Sequence, residues 1–452
     1  MTYKIERIIS TICLVAAIVS FAFFPVSASC ETLRFVFLAD SRANDVDDDK
    51  PLDNPVNTEA LKPIIKKIGE LNPPPTFVMF GGDMSYRGYI YTDGNNIGYT
   101  FQAWKDLFKD LTDAGIPLYT AIGNHELYRH DDHKSPTCAK SFCLENQEEY
   151  KNVFSENPQN GPKGYKPGYD GLVYSFTSPG GDAFFAVLDP YYITQDTTPN
   201  GLGGHIDDVQ LMWLKKKVAK TRATHKFLFI HTPYYYVTGQ TPGDEEYSVV
   251  DESFLKLWTV LDNNRFDFYA CGHSHLYSRK TINQWVLPKP LTMPPHPPWR
   301  HNVVQLLNGT SGAAPDQGKP TVKDPKSWHI HQDADTYYFS VIDIDGSQVK
   351  VTSYDYNTVA EDYKVADKFT IDKSAAHAEC LFNWAEKTYP SLFALPGSPT
   401  QVWTVYTYRY YSATDAYVGI SSADNHVKYI GPDRIMYDEG PLWYWLPLAG
   451  CQ

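Results

Sequence analysis

The chain has 452 residues, 42% hydrophobic and 21% charged, which supplies a large core and too little charge for wholesale disorder. Its formal net charge is -13, and a surface that acidic repels polyphosphate backbones, so no nucleic-acid partner is expected, though a local cationic site is not forbidden. Aromatic residues reach 15%, with 33 Tyr and 10 Trp, a bias toward β-rich structure.

Residues 1–28 read as an export signal. Lys4 and Arg7 precede a nearly unbroken apolar run from Ile8 to Phe24, and Val26-Ser27-Ala28 places small residues at a cleavage site. Removing this segment removes Lys4, Arg7 and Glu6, a net +1, and takes the charge to -14. The expected location is secreted or periplasmic, with an uncleaved membrane anchor or a lipid-modified start at Cys30 as alternatives. No other segment approaches the ~18 apolar residues of a membrane span, so none is expected in the mature chain. In an oxidising compartment Cys138 with Cys143, in CAKSFC, and Cys380 with Cys451, bracketing the last segment, are natural disulfide pairs. Cys271, inside FDFYACG, is expected to be free.

From residue 33 the pattern alternates between two periods. LRFVFLA (33–39) is a continuous apolar run, as in a strand buried on both faces. Leu61, Ile64, Ile65, Ile68 and Leu71 follow at helical spacing. TFVMFGG (76–82) is the next strand, Phe101 to Leu111 a helix ended by Gly115, and PLYTAIG (117–123) a third strand. The stretch 126–172, with Arg129, His130 and His133, reads as a long loop, either a lid or a surface insertion. VYSFTS and AFFAVLD are strands, and a helix over 207–220 leads into KFLFIH. Another helix, over 252–263, leads into FDFYACG. VVQLLNG, YYFSVIDIDG and QVKVTSYDY alternate as antiparallel strands do, with Asp343 and Asp345 at a hairpin rather than in a calcium site. Within DKSAAHA (372–378), residues 373–378 read as a linker. Residues 379–452 read as a small α+β unit with one amphipathic helix and three Tyr-rich strands. The expected class is α/β, with two mixed sheets and helices outside them over 30–372.

The chemistry-bearing residues lie where strands stop. Asp40 ends the first strand, Asp83 the second, Asn124 and His125 follow the third, His231 ends KFLFIH, and His273 and His275 follow FDFYACG. Ligands of α/β sheets bind beyond the carboxyl ends of strands. Singly, each residue reads as a turn, cap or packing residue; their joint occurrence in this order, each at a strand end, sets them apart. Carboxylate oxygen and imidazole nitrogen suit Zn, Mn and Fe. Two such ions ~3.5–4 Å apart can clamp the attacking and departing oxygens of a phosphoryl transfer.

The order D-x-R, GD-x-x-Y, GNHE, an isolated His and GHSH resembles the calcineurin-like metallophosphoesterase superfamily, and looks most like its purple acid phosphatase branch. QLMWL at 210–214 is similar to the family's helix before the isolated His. The resemblance covers roughly 33–372 and implies a four-layer α/β/β/α sandwich and a two-metal hydrolase using a metal-bridging hydroxide. It implies that Asp40, Asp83 and His275 hold the first ion, and that Asp83 bridges to a second held by Asn124, His231 and His273. His125 would protonate the leaving oxygen or steady the pentacoordinate phosphorus.

Two positions depart from or extend that pattern. Where the superfamily motif opens D-x-H, this chain has Asp40-Ser41-Arg42, and a charged arginine is no metal ligand. Tyr86, in GDMSY, matches the phenolate that holds a ferric ion in the purple acid phosphatases, or it packs. A phenol with an ordinary pKa near 10 needs a strong Lewis acid to ionise, so Fe(III) with Zn, Mn or Fe(II) is the expected pair, and Mn/Zn the alternative. Arg42 either salt-bridges an acidic run at Asp47-Asp48-Asp49 or binds substrate phosphate. Tyr234, Tyr235, Tyr277 and Arg279 flank the motifs; Tyr234 and Tyr277 are the candidate pocket residues.

The expected function is an exported phosphoric-ester hydrolase, acid-phosphatase-like and acting on small phosphomonoesters. A phosphodiesterase or nucleotide hydrolase on the same scaffold, and a non-catalytic surface binding protein, are the alternatives.

Overall fold

The computed structural model describes residues 32–43, 56–85, 101–127, 140–193, 204–234, 252–282, 301–315, 328–331 and 335–388, and the segments 401–403, 406–411, 416–421, 426–430 and 436–441. The first strand, β1 (Leu33–Leu38), shows why the apolar run is continuous. Phe35, Phe37 and Ala39 enter one core while Val36 and Leu38 enter another, so both faces are buried.

β1 lies in a six-stranded sheet. It runs parallel to β2 (Phe77–Phe80), which runs parallel to β3 (Leu118–Thr120). On its other side β1 pairs antiparallel with β11 (Thr336–Asp345), followed by β12 (Gln348–Asn357) and β13 (Asp362–Asp372). A seven-stranded sheet has the order β10-β8-β9-β7-β6-β5-β4. Its strands are β4 (Tyr174–Thr177), β5 (Ala183–Val187), β6 (His225–Phe229), β7 (Phe268–Cys271), β8 (Tyr277–Ile282), β9 (Val303–Asn308) and β10 (Trp328–His331). In it β5, β6, β7 and β9 are parallel neighbours.

The two sheets face each other across an aromatic core. Phe35 meets Phe185, Phe227 and Phe229 edge-on, with ring centroids 5.4, 5.3 and 6.1 Å apart. The opposite faces carry the helices. Val36, Leu38, Val78 and Phe80 of the first sheet, and Ala186 and Leu228 of the second, share a core with α1 (Thr58–Gly69), α5 (Asp208–Val218) and α6 (Glu252–Asn263). Asn57 caps α1 by accepting from the Ala60 amide, and Asp207 caps α5 by accepting from Gln210. The result is an α/β/β/α sandwich. Two short helices, α2 (Phe101–Asp106) and α3 (Lys109–Asp113), bring Trp104, Phe108 and Leu111 to that outer core.

Three expectations need correction. The stretch 126–172 is not all loop, because α4 (Lys140–Val153) packs on the core. Its inward positions alternate apolar and amide residues, Cys143, Asn146, Gln147 and Tyr150, which hides the helical stripe. Each amide is satisfied: Asn146 donates to the Leu127 carbonyl, and Gln147 exchanges hydrogen bonds with the Ile193 backbone. All of the expected linker but Lys373 is the start of α7 (Ser374–Thr388), whose small residues are good helix formers. The C-terminal part has five antiparallel strands rather than three: β14 (Gln401–Trp403), β15 (Tyr406–Tyr411), β16 (Ala416–Ser421), β17 (His426–Ile430) and β18 (Met436–Pro441). The first expected strand, over 402–411, is divided between β14 and β15, and MYDEGP was missed, because its charges and Pro speak against a strand. α7 and this sheet have their own core of Leu381, Phe382, Ala385, Tyr411, Val418, Ile420 and Val427.

Cys271 is the free cysteine among the described residues, and it is buried. Of the cysteines expected to pair, Cys143 and Cys380 lie among the described residues, and Cys138 and Cys451 lie outside them. No helix among the described residues is long and apolar enough to cross a membrane.

Candidate metal centre

The carboxyl ends of β1, β2, β3, β6 and β7 deliver Asp40, Asp83, Asn124 with His125, His231 and His273 to one place. Three of these strand ends turn sharply. Asp40, Asp83 and His273 have φ of 57°, 57° and 76°, the left-handed region that costs a non-glycine residue about 1–3 kcal/mol. The frame holds them there. The Asp40 amide donates to the Gly82 carbonyl, the Ser41 amide to the Asp83 carbonyl, and the His273 amide to both Asp40 oxygens at 3.1 and 3.0 Å. Two glycines permit the close approach. A Cβ at Gly123 would lie 2.2 Å from Asp83 Oδ1, and one at Gly272 would lie 2.1 Å from Asp40 Oδ2.

Glu126, one residue beyond His125, is the main residue that sequence reasoning missed. Its fully buried carboxylate accepts the amides of Gly123, Asp83 and Met84 at 2.6, 2.9 and 2.7 Å. It ties the Asp83 turn to the Asn124 turn. Burial, reinforced by Asp83, pushes Glu126 up to about 7 against the pull of those amides. The segment Asn308–Ala313 was also missed. There the amides of Ser311 and Ala313 donate to the Asp40 carbonyl, and Asn308 donates to the Phe37 carbonyl. The acid in GNHE and the glycines of NGTSG were the available signals.

One ligand atom each from Asp83, His231 and His273 lie within 4.8 Å of one another. His231 Nδ1 donates to the Gly81 carbonyl at 2.8 Å, so its Nε2 carries the lone pair. That Nε2 is buried without a hydrogen bond and lies 3.2 Å from Asp83 Oδ2. A bare imidazole nitrogen facing a buried carboxylate is an arrangement that a cation completes. Burial alone would lower the His231 pKa, yet Asp83 and Asp40 raise it to about 9, so without a metal ion the Nε2 lone pair takes a proton, and either way the pocket demands positive charge. Burial, then His231, lowers His273 to about 3, which keeps it neutral as a ligand must be. His273 Nδ1 lies 3.0 Å from Asn124 Oδ1, so the amide oxygen joins the same set. These residues fit a metal ion.

The remaining residues spread around this set. Burial raises Asp40 well above the usual carboxylate range, with Asp83 adding to the effect and His231 opposing it. Asp83 is held well below that range, because His231 and His125 outweigh its own burial. His125 donates its amide to Asp83 Oδ1 at 3.0 Å, and its Nε2 lies 3.8 Å from Asp83 Oδ2. His275 Nε2 lies 3.8 Å from Asp40 Oδ1 and accepts from Arg42 Nε at 3.2 Å. Arg42 therefore turns into the site. Tyr86, Tyr235, Arg129, His130 and His133 lie outside the described residues.

Tyr234 and Tyr277 are corrections. Both are fully buried. Tyr234 stacks on Trp258 with centroids 4.6 Å apart. Tyr277 belongs to the core between the sheets and donates to Asp367, which Arg279 also pairs. A substrate reaches neither ring.

The sequence profile of calcineurin-like phosphoesterases matches residues 33–277, more than half of the chain. A search of curated protein sequences finds no match. Among solved structures the chain is similar to the purple acid phosphatase PPD1 of yellow lupin, with 16% identity over 75% of this chain and a TM-score of 0.46. It spans 54% of that phosphatase. It is also similar to GAP50, the anchor in the inner membrane complex of Plasmodium, at 17% identity over 75% of this chain and 89% of that one, with a TM-score of 0.44. A third is PhoD, at 12% identity over 75% and 72%, also with a TM-score of 0.44.

Proposed function

The chain belongs to the calcineurin-like phosphoesterase family, and on that premise we propose that it is an exported, metal-dependent phosphomonoesterase of the acid-phosphatase kind. The observation that carries this reading is the Asp83–His231–His273 set, with the His231 Nε2 lone pair aimed at Asp83 Oδ2. When bound there, a divalent ion supplies Lewis acidity toward a phosphoryl oxygen and ionises water near neutral pH.

The chain's own residues divide the remaining work. Asp83, Asn124, His231 and His273 hold the ion, and Glu126 fixes the two turns that carry Asp83 and Asn124. His125, partly exposed beside Asp83, is placed to give a proton to the departing oxygen from its Nε2. Arg42, whose Nε lies 3.2 Å from His275 Nε2, brings a positive charge to the site that favours a phosphate. The mature net charge and the positive charge of the ion and of Arg42 together favour small anionic substrates over polyanions. The signal-like segment 1–28 supports export, and the pairs Cys138–Cys143 and Cys380–Cys451 belong to that reading. Non-reducing peptide mapping tests those pairs.

Iron held by Tyr86 belongs to the two-ion version of this reading, in which Asp40 and His275 hold an ion as well. Its test is a visible tyrosinate-to-iron band in protein loaded with iron under oxidising conditions, abolished by Tyr86→Phe. The activity is tested with an aryl phosphate and an aryl phosphodiester, before and after chelation and after readdition of Zn, Mn or Fe. Turnover of the monoester that chelation removes and metal restores supports the proposal. Faster diester turnover favours a diesterase. Bound metal with no turnover of either favours a binding protein.

A further inference from the structure

We propose that this chain binds one metal ion, through Asp83, Asn124, His231 and His273, and that the Arg42 guanidinium stands as a fixed cation where the family resemblance places the other ion. The inference rests on reading that residue set as a metal centre.

Arg42 is built into the frame. Its backbone forms an isolated antiparallel bridge with Val56. Next to it the Ser41 amide donates to the Asp83 carbonyl, and the Asn57 amide to the Ser41 carbonyl, both at 2.9 Å. Ser41 Oγ donates to the Met84 carbonyl at 2.7 Å and accepts from Trp104 Nε1 at 2.8 Å. The chain two residues past Asp40 is thus gripped from three directions, and this sets where the Arg42 side chain begins.

From there Arg42 Nε–H donates to His275 Nε2 at 3.2 Å. That nitrogen's lone pair is the one a metal at this place would need. The other terminal donor, Asp40, has both oxygens engaged by the His273 amide. The contrast with His231 is direct: its Nε2 has no hydrogen-bond partner and faces a carboxylate, whereas His275 Nε2 already faces a cation. A guanidinium does not lose its proton in a protein, so it can be neither a ligand nor a neutral neighbour. A second metal ion between Asp40 and His275 would lie against it with like charge.

Charge balance is kept. Asp40 and Asp83 contribute two negative charges, and one divalent ion with Arg42 contributes three positive ones. Counting the buried Glu126 carboxylate behind the Asp83 turn, the site is close to neutral overall, with its positive charge on the ion and on Arg42.

The experiment counts metal in the purified full-length protein after saturation with Mn²⁺ and removal of the unbound ion. The electron paramagnetic resonance spectrum of the bound Mn²⁺ is recorded alongside. Wild type is expected to hold one equivalent with the six-line signal of an isolated ion. Arg42→His, which restores D-x-H and exchanges the cation for an imidazole, is expected to hold two, with the altered signal of a coupled pair. Two equivalents in wild type would overturn the inference and leave the metal centre standing. So would a tyrosinate-to-iron band in iron-loaded wild type, or a folded Arg42→His protein that stays at one. No bound metal in wild type would overturn both readings. The wild-type count decides the matter even if the variant does not fold.

Discussion

His125 lies beside the proposed ligands without being one of them, and its ring is open enough to meet a substrate. His125→Ala should keep the metal content while kcat falls by about 10²–10⁴-fold, the usual contribution of a positioned acid. A leaving group of low pKa should blunt the loss, because it departs without a proton. Loss of a metal equivalent in this variant would reassign His125 as a ligand. A second residue reports on stability alone. Lys226, on β6, is 3% exposed, and burial with help from Lys373 lowers its pKa to about 8, against the pull of Asp267. Its folded pKa lies below the unfolded 10.5, so the folded chain binds the proton less well. That penalty is fully present below about pH 8 and fades between 8 and 10.5. Lys226→Met should therefore raise Tm at pH 7, by the equivalent of at most roughly 3 kcal/mol. The gain should vanish toward pH 10.5, which melting curves across that range would show.

At the scale of elements, the site depends on turns that hold strained residues. Glu126 joins the turn after β2 to the turn after β3 through three backbone amides. In Glu126→Gln one acceptor oxygen becomes an NH₂ group, which confronts an amide N–H. Metal affinity should drop about 10–100-fold, as for other residues that orient ligands, with circular dichroism unchanged. Equal affinity in the variant would mean the turns hold themselves. The strands that lead to these turns were readable because they are continuous apolar runs. Their end residues were readable because Asp, Asn and His in series after strands have few structural uses. Glu126 was not singled out, since a glutamate beside a histidine carries no mark of burial. α4 was not readable because Asn146 and Gln147 occupy its buried face. Tyr234 and Tyr277 were misjudged for a related reason: nearness in sequence to His231 and His275 does not say which face a side chain takes, and these rings turn into the cores.

Across the whole molecule, the sandwich and the C-terminal sheet have separate hydrophobic clusters. Lys373, just before α7, places Nζ 2.7 Å from Asp267 Oδ2 and also donates to the carbonyls of Thr224 and Arg265. It closes the sandwich, whereas α7 packs on the C-terminal sheet. A chain ending after Lys373 should therefore fold, bind metal and hydrolyse phosphate. Lys373→Met in the full chain should destabilise it by about 3–5 kcal/mol, because Asp267 loses a buried partner. A truncated protein that binds metal but does not hydrolyse phosphate would show that the C-terminal part contributes to catalysis. Residues 374–378 of the expected linker are helical, because small polar residues serve a helix as well as a loop. The two-sheet class, by contrast, was fixed by strand–helix alternation and held throughout.

The central claim is that the ion held by Asp83, His231 and His273 performs the hydrolysis. It is tested most directly by measuring bound metal and aryl phosphate turnover in the same preparations of wild type and His231→Ala. The account predicts that the variant folds, loses the metal equivalent and loses turnover together, and that neither returns on adding the ion at concentrations that saturate wild type. Wild-type turnover in a His231→Ala protein shown to be free of metal would contradict it.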